Sequence, residues 1–301
     1  MPGIGHGQDT DMGMELLPDW MHTYQVGEDS FEAAYQGVWA TKRALIKTAV
    51  ASLYAWLEPT GTKWLEKKTR TGSGLCLKHI HTSRKWAVVY VPASCASPGL
   101  VVGAVLPVLA AGVWPVIAVV EAESSQEQAV LVTLELCGVE TVYLLSGEDM
   151  EAAWRHGQTL SSIPPGMLVW IGQSGTGGLQ IAVSPSGGPM QIVLSRPRRA
   201  AVWQKDQEID VQALAWMHPG LDIEIWPAEG TGAGQADKDL WASFLAQEAD
   251  VVWVPRALIP QALTVFPLVL GPGQEPVWMW PWFDTALASH TCLAVSWAAI
   301  K

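Results

Sequence analysis

Apolar residues in the first half of the chain form short runs of two kinds, which alternate. Residues 86–91, 116–120 and 141–145 are rich in β-branched and aromatic residues, as buried strands are. Residues 100–111 and 126–137, which separate them, have the length and composition of helices. Strands that alternate with helices of this length pair in parallel through right-handed crossovers. The pattern therefore predicts the core of a nucleotide-binding type of α/β domain.

The same alternation resumes in the last third of the chain. The predicted strands are residues 200–203, 223–226, 251–254 and 277–280, and the predicted helices are residues 211–217, 237–246 and 259–266. Between the two halves, residues 172–188 are rich in Gly, Ser and Pro, and strands at 179–183 and 191–194 would form a hairpin there. The predicted fold class is α/β, with two Rossmann-like lobes of mostly parallel sheet.

A single long helix is predicted before the first lobe, over residues 29–57. Ser30 can cap its start, apolar residues recur at helical spacing, and Pro59 follows its end. Residues 63–70 are basic and are interpreted as a solvated linker, followed by a short strand at 75–80. The predicted organisation is a poorly ordered N-terminus (1–28), the long helix and a linking strand (29–85), the first lobe (86–171), a Gly- and Pro-rich connector or hairpin (172–199) and a shortened second lobe (200–301).

Composition excludes several classes of partner. A net charge of −11 disfavours binding to nucleic acid or to an anionic membrane surface. Residues 100–120 are apolar and long enough to cross a bilayer, but Pro107 and Pro115 would interrupt a spanning helix. The four cysteines are scattered without a C-x-x-C pair, which favours reduced thiols in a cytoplasmic protein. The chain contains no Asn, so no mechanism that needs one is available.

Four segments of the first lobe resemble one enzyme family. They are Tyr90-Val91-Pro92, Leu106-Pro107 with Ala110-Ala111-Gly112-Val113, Leu136-Cys137-Gly138-Val139, and the run from Ser146 to Gln158 with Gly147, Ala152, Ala153 and Gly157. In these segments the chain is similar to histidinol dehydrogenase, a zinc- and NAD-dependent enzyme of histidine biosynthesis with an aldehyde-dehydrogenase-like α/β fold. The resemblance implies that Tyr90, Pro92, Gly147 and Asp149 occupy cofactor-contacting positions, although Asp149 replaces the family's Gln.

The second lobe departs from the family where the resemblance would place the zinc site. Gln247 falls on one zinc ligand, but Asp250 replaces the histidine that supplies another. Glu275 falls on a catalytic Glu, and Pro276 replaces the His that follows it in the family. The family's C-terminal region, which gives a further ligand and helps build the dimer, would lie beyond Lys301, so we expect a truncated, divergent member. A simpler explanation, favoured for Gln247 and Asp250, is that they are polar residues facing water at the end of a helix.

These departures lead to two main hypotheses of function. In the first, the protein is a degenerate relative that keeps the scaffold without zinc-dependent catalysis, binds neither zinc nor NAD, and acts as a binding, regulatory or assembly subunit. Its partner would be another protein or a second copy. In the second, it is an active NAD-dependent oxidoreductase of histidinol or a related amino alcohol, with Gln247 and Asp250 lining a cleft between the lobes. A weaker third hypothesis is a dinucleotide or metabolite sensor that uses the first lobe, with Asp149 near the ligand.

Two further observations bear on these hypotheses. Trp278, Trp280 and Trp282 alternate along one segment, so an extended backbone would place them on one face, as core residues or as a partner interface. The core is the slightly favoured assignment. An empty cleft of ligand size would favour an enzyme or a sensor, whereas side chains that fill the cleft would favour the degenerate scaffold.

Overall fold

The computed structural model describes residues 16–57, 65–72, 74–122, 126–160, 165–172, 179–183, 188–204, 208–226 and 235–297. Its helices are α1 (Glu28–Gly37), α2 (Ala40–Leu57), α3 (Pro98–Ala110), α4 (Glu127–Cys137), α5 (Gly147–Gln158), α6 (Val211–Met217), α7 (Gln235–Leu245), α8 (Ile259–Ala262) and α9 (Thr285–Ala288). Its strands are β1 (Leu65–Arg70), β2 (Cys76–Ser83), β3 (Ala87–Val91), β4 (Val116–Glu121), β5 (Thr141–Leu145), β6 (Met167–Gly172), β7 (Leu179–Val183), β8 (Met190–Ser195), β9 (Arg199–Trp203), β10 (Asp222–Trp226), β11 (Val251–Trp253), β12 (Val269–Leu270) and β13 (Ser289–Ser296).

The largest sheet has the strand order β5-β4-β3-β6-β8-β7. Its neighbouring strands are parallel, except that β7 forms an antiparallel hairpin with β8. The central strand β3 is buried on both faces because every residue in it is apolar or aromatic. Alternate residues face different layers: Val89 packs in the core that contains α2, α3 and α4, and Tyr90 packs in the core that contains α5. The predicted parallel α/β arrangement is confirmed.

The long N-terminal helix is predicted as one element, and this prediction is wrong, because the chain folds as α1 and α2. Val38, between them, has an extended backbone with φ −94° and ψ 121°. The guanidinium of Arg43 donates to the carbonyl oxygens of Val38 and, at 2.7 Å, of Tyr35, so α2 satisfies carbonyl groups at the end of α1. A Cβ on Gly37 would lie only 2.7 Å from Oε1 of Gln128 in α4. The break is therefore accompanied by a local cap from Arg43 and by one contact distant in sequence, that of Gly37 with Gln128.

The expectation of a poorly ordered N-terminus is wrong for residues 16–28. Leu16, Leu17 and Met21 are buried in the same apolar cluster as Tyr90. The backbone N–H of Val26 also donates to the carbonyl of Val142 in β5 at 2.8 Å. Apolar burial and this hydrogen bond hold the segment against the first sheet. Residues 1–15 lie outside the described residues.

The second lobe contains a parallel sheet with the strand order β10-β9-β11-β12. Residues of its strands alternate between two cores: Val202 and Trp253 face the side of α6, and Trp203 and Val252 face Phe244 of α7. Strand β12 was not predicted. The prediction of a strand at residues 277–280 is wrong, because the backbone turns at both ends of this segment. The backbone N–H of Val277 donates to the carbonyl of Gln274, and that of Phe283 donates to the carbonyl of Trp280.

The three alternating tryptophans do not share one face. Trp278 and Trp280 are buried, and Nε1 of Trp280 donates to the carbonyl of Ser195 at 2.8 Å. Trp282 is 52 % exposed. The core assignment is thus confirmed for the first two residues and wrong for the third, because the segment bends instead of continuing as a strand.

A third, antiparallel sheet has the strand order β1-β2-β13. The linker interpretation is wrong for the part of the basic stretch that forms β1, and β13 was not predicted. Both strands pair with β2, and β13 does so across roughly 200 residues of sequence, with Ser289 opposite Ser83 and Ser296 opposite Cys76. Pairing at this separation leaves little local signal in the sequence.

The apolar stretch at residues 100–120 is a buried helix, a turn and a buried strand, α3 and β4, as predicted. Twelve of the thirteen residues of α3 are buried, including Pro107. Within the described ranges, no helix combines the length and the apolarity that a membrane span requires.

Candidate functional site

The carboxyl ends of β3, β4 and β5 form the edge of the first sheet at which ligands of open α/β folds bind. In the sheet, β3 lies between β4 on one side and β6 on the other, so the chain moves outward from β3 first in one direction and then in the opposite direction. Pro92 ends β3, Glu121 ends β4, and Gly147 begins α5 directly after β5. The resemblance implied cofactor-contacting positions around this topological switch point, at Tyr90, Pro92, Gly147 and Asp149.

Glu121 joins the loop after β3 to the start of α5. Its Oε2 accepts a hydrogen bond from the backbone N–H of Ala93 at 2.7 Å. Its Oε1 lies 2.9 Å from the position of a Cβ on Gly147, so only a glycine fits there without displacing the carboxylate. Glu121 is not among the residues predicted from the sequence, although it stands out there as the acidic residue that ends the apolar run Val116–Glu121.

Asp149 lies in the first turn of α5 and caps that helix together with Ser146. The backbone N–H of Asp149 donates to Oγ of Ser146 at 3.2 Å, and the Ser146 hydroxyl donates to Oδ2 of Asp149 at 2.8 Å. A carboxylate in the first turn is stabilised by the positive end of the helix dipole. Glu121 and Asp149 thus both bring negative charge to the start of α5.

Tyr90 and Pro92 are buried. The Tyr90 hydroxyl donates to the carbonyl of Ala153 in α5 at 3.3 Å, and its ring stacks on Trp170 with centroids 5.6 Å apart. Trp154 packs edge-on against the same ring. Burial raises the pKa of Tyr90 above its ordinary range, so the phenol stays protonated. The structure therefore places Tyr90 in the layer between sheet and helix, and Gly147 and Asp149 at the edge.

On the other side of β3, Arg196 spans the edge of the first sheet. Arg196 follows β8, and its guanidinium donates to the carbonyl oxygen of Ser94 and, at 2.5 Å, to that of Gly220. Gly220 has φ +76° and lies in the second lobe, where a side chain would collide with Arg196. Arg196 thus joins the loop after β3 to the second lobe across the switch point.

Gln247 and Asp250 both line one pocket of about 500 Å³. The lining residues are Arg198, Arg199, Gln247, Glu248, Ala249, Asp250, Val265 and Phe266. Arg198 and Arg199 end the predicted connector, and the other six lining residues belong to the second lobe, so the pocket does not lie between the lobes. It lies at the amino ends of β9 and β11, opposite the edge at which parallel sheets bind ligands.

Of the two candidate metal ligands in this pocket, the carboxylate of Asp250 is already engaged. Oδ2 of Asp250 accepts from the backbone N–H groups of Arg198 at 2.7 Å and Arg199 at 3.1 Å. Nε2 of Gln247 is shielded from solvent and has no hydrogen-bond partner. Two arginine side chains also line the pocket, and a cation there would be repelled by them. Within the described ranges, no three His, Cys, Asp or Glu residues are grouped as a metal site would need.

Glu275 is not among the residues that line this pocket. It is 5 % exposed, and its Oε1 accepts from the backbone N–H groups of Asp210 and Gly273, both at 3.2 Å. His218, which is also buried, donates from Nε2 to the carbonyl oxygen of Glu275 at 3.0 Å. Burial lowers the pKa of His218 to about 4, despite this hydrogen bond, which favours the charged form. The two residues tie the start of α6 and the loop before Trp278 together.

Both the sequence and the fold are similar to those of known proteins. A family model described as "Histidinol dehydrogenase" matches residues 13–168. In structure, histidinol dehydrogenase from Elizabethkingia anophelis is similar with a TM-score of 0.54 and 10 % identity, over 98 % of this chain and 86 % of that one. No curated protein sequence matches the chain.

Two aldehyde dehydrogenases share less of the structure. Lactaldehyde dehydrogenase from Escherichia coli has a TM-score of 0.34 and 12 % identity, over 78 % of this chain and 48 % of that one. Aldehyde dehydrogenase from Brucella melitensis biovar abortus 2308 has a TM-score of 0.35 and 14 % identity, over 78 % and 46 %. The chain spans less than half of either enzyme. The histidinol dehydrogenase family model covers more than half of the chain, and the histidinol dehydrogenase from Elizabethkingia anophelis has the same fold. The protein therefore belongs to the histidinol dehydrogenase family.

Proposed function

We propose that the protein is a degenerate member of this family, without zinc-dependent catalysis, and that it acts as a binding, regulatory or assembly subunit. The observation that carries this proposal is the occupation of the switch point by two charged side chains of the protein itself. Glu121 takes the backbone N–H of Ala93 beside the start of α5, and Arg196 joins Ser94 to Gly220. Because these groups are already bonded within the protein, fewer of them are available to hold a cofactor at this edge, and this supports a role as a scaffold.

NAD does not fit the groups at this edge. A pyrophosphate at the start of a helix is held by free backbone N–H groups and by positive charge. Here the Glu121 carboxylate accepts from the backbone N–H of Ala93, and the Ser146 hydroxyl oxygen accepts from that of Asp149. The negative charge of Glu121 and Asp149 would in addition repel a phosphate. The same repulsion argues against a dinucleotide sensor that uses Asp149.

Zinc does not fit the second lobe either. Structural and catalytic zinc sites use three or four strong ligands, most often His, Cys and carboxylate groups that are free to coordinate. Asp250 is bound to two backbone N–H groups, and Glu275 holds two others in the core. A metal would have to break those hydrogen bonds beside Arg198 and Arg199.

The protein is proposed to act in the cytoplasm, because the thiols with described side chains, Cys76, Cys95 and Cys137, are not in disulfide bonds. Burial raises the pKa of the Cys137 thiol to about 12, so this residue is an inert core thiol.

The active oxidoreductase remains the second candidate, because Gln247 and Asp250 do line a pocket of about 500 Å³. The test is zinc content of the purified protein by mass spectrometry, with NAD titrated in the same preparation by tryptophan fluorescence. We expect no stoichiometric zinc and no saturable NAD signal. A catalytically active histidinol dehydrogenase prepared in parallel is the positive control.

Stoichiometric zinc together with saturable NAD binding would overturn the proposal. In that case Gln247→Ala should release the metal if the pocket is the site, and oxidation of histidinol should be measured next. Glu275→Gln is the matched variant outside the pocket, and it should keep any zinc bound there.

A further inference from the structure

The pocket that Gln247 and Asp250 line has an apolar wall. Its volume of about 500 Å³ is typical of sites for small molecules. The wall is formed by Val265, which is 50 % exposed, and by Phe266, which is buried. Covering an exposed apolar side chain is favourable when the ligand brings an apolar part of its own. The pocket therefore offers apolar contact in addition to its charged groups.

The charged groups of this pocket leave one guanidinium without a partner. Nη1 of Arg199 pairs with Oε2 of Glu248 at 3.2 Å, so these two charges offset each other. Oδ2 of Asp250 accepts from two backbone N–H groups, which stabilise its negative charge. Arg198 is exposed, and its guanidinium has no hydrogen-bond or ion-pair partner among the residues that the structure describes. This free guanidinium repels a cation and can pair with an anion.

The amide of Gln247 adds a second donor. Within the described part of the chain, its Nε2 is shielded from solvent and has no hydrogen-bond partner. A shielded N–H group without an acceptor is unfavourable. Gln247 is only partly buried, so a small rotation of its amide can turn this donor toward a ligand. A carboxylate has two acceptor oxygens, and it can accept one hydrogen bond from the guanidinium and another from the amide.

From these observations we infer that the pocket binds a small organic anion, a monocarboxylate with an apolar group, at the position where the resemblance implies zinc. The guanidinium of Arg198 pairs with the carboxylate, and the amide of Gln247 donates to it. Val265 and Phe266 contact the apolar group. One free guanidinium balances one negative charge, whereas a dianion such as a phosphate monoester would be repelled by the remaining charge of Asp250. The inference rests on the proposed function, since it names a class of ligand for a binding subunit that holds no zinc.

The test is a titration of the full chain with para-fluorobenzoate, followed by fluorine NMR. The neutral probe of the same shape is para-fluorobenzamide, and the dianionic probe is para-fluorophenyl phosphate. We expect saturable binding of the carboxylate with a dissociation constant of about 1 mM, as is usual for so small a ligand, and at least tenfold weaker binding of the other two probes. Absence of saturable carboxylate binding would overturn the inference, as would equal or tighter binding of the amide or of the phosphate.

Two pairs of variants locate the bound probe. Arg198→Gln removes the free guanidinium, and Arg256→Gln removes an exposed guanidinium of the second lobe that is not part of the pocket. Val265→Glu adds a negative charge to the pocket, and Leu263→Glu adds the same charge at an exposed position outside it.

We expect para-fluorobenzoate to bind at least tenfold more weakly to the first variant of each pair and unchanged to the second, because only the first alters the charge inside the pocket. Circular dichroism checks that all four variants fold, and each pair decides the question without the other. Equal binding to the two members of a pair would overturn the inference.

Failure of this inference can be distinguished from failure of the proposed function. A protein that holds no zinc and does not bind para-fluorobenzoate would overturn the inference alone. Stoichiometric zinc in the same preparation would overturn the proposed function and, with it, the assignment of the pocket to an anion.

Discussion

The carboxylate of Glu121 lies 2.9 Å from the point at which a side-chain carbon of Gly147 would stand. The space that a side chain at Gly147 would need is taken by the Glu121 carboxylate, which also accepts from the backbone N–H of Ala93. As long as Glu121 keeps this position, residue 147 has to be a glycine.

Gly147→Ala should lower the free energy of unfolding by about 1 kcal/mol, the typical worth of one hydrogen bond, because the new methyl group displaces Glu121 from Ala93. In a Glu121→Ala background the same change should cost close to nothing, since the obstacle is gone. Urea unfolding of the four proteins gives the coupling. Additive effects would show that the close approach does not matter.

Removing negative charge from the start of α5 should admit a dinucleotide. In Glu121→Gln/Asp149→Gln the repulsion of phosphate is lost and the residue of the family is restored at position 149. We expect NAD affinity to rise at least tenfold, or about 1.4 kcal/mol, in a titration followed by tryptophan fluorescence. Glu151→Gln, which is exposed and lies beyond the first turn of the same helix, is the matched control and should change little. If the double variant also fails to respond, charge is not what excludes NAD.

The buried His218 predicts that the protein loses stability in mild acid. Its pKa is lowered to about 4 in the folded state, so the unfolded chain takes up the proton first as the pH falls below about 6.5. The contribution of the neutral imidazole is complete above pH 6.5 and decreases until about pH 4. Between pH 7 and pH 5 this residue should remove about 2 kcal/mol.

The measurement for His218 is the free energy of unfolding by urea at pH 7 and at pH 5. His218→Gln keeps a polar side chain but does not titrate, so its stability should change less over the same interval. An equal loss in both proteins would assign the acid sensitivity to other groups.

Glu275 should behave as a structural residue. Glu275→Ala removes the acceptor of two backbone N–H groups in the core, and we expect a loss of about 3 kcal/mol. Glu275→Gln keeps an oxygen at the same place and should lose less than about 1 kcal/mol. Thermal unfolding followed by circular dichroism compares the two. Equal losses would mean that the charge of Glu275, and not its acceptor geometry, stabilises the loop.

The first sheet could be predicted because its strands are nearly uninterrupted apolar runs separated by helices of ordinary length. The helix break at Val38 could not, since it depends on Arg43 capping α1 and on Gln128 approaching Gly37. Strand β13 could not be predicted either, because its partner strand β2 lies about 200 residues earlier in the sequence.

The position of the candidate site could be predicted from the sequence, but the roles of its residues could not. Asp149 was placed by resemblance, yet the local pattern of Ser146 followed three residues later by an acid already predicts a helix cap. Glu121 and Arg196 escaped notice because their importance comes from partners 28 and 102 residues away. Contacts between residues so far apart cannot be predicted from the spacing of residues along the sequence.

Helix α3 connects the lobes in a way that affects how the protein can be studied. Gly103 in this helix lies so near Trp278 that a Cβ would be 2.7 Å from its carbonyl oxygen, and Gly99 faces the ring of His218. A helix surrounded by both lobes leaves neither with a complete core of its own. Melting should then be a single cooperative transition, and a lobe expressed alone should not fold.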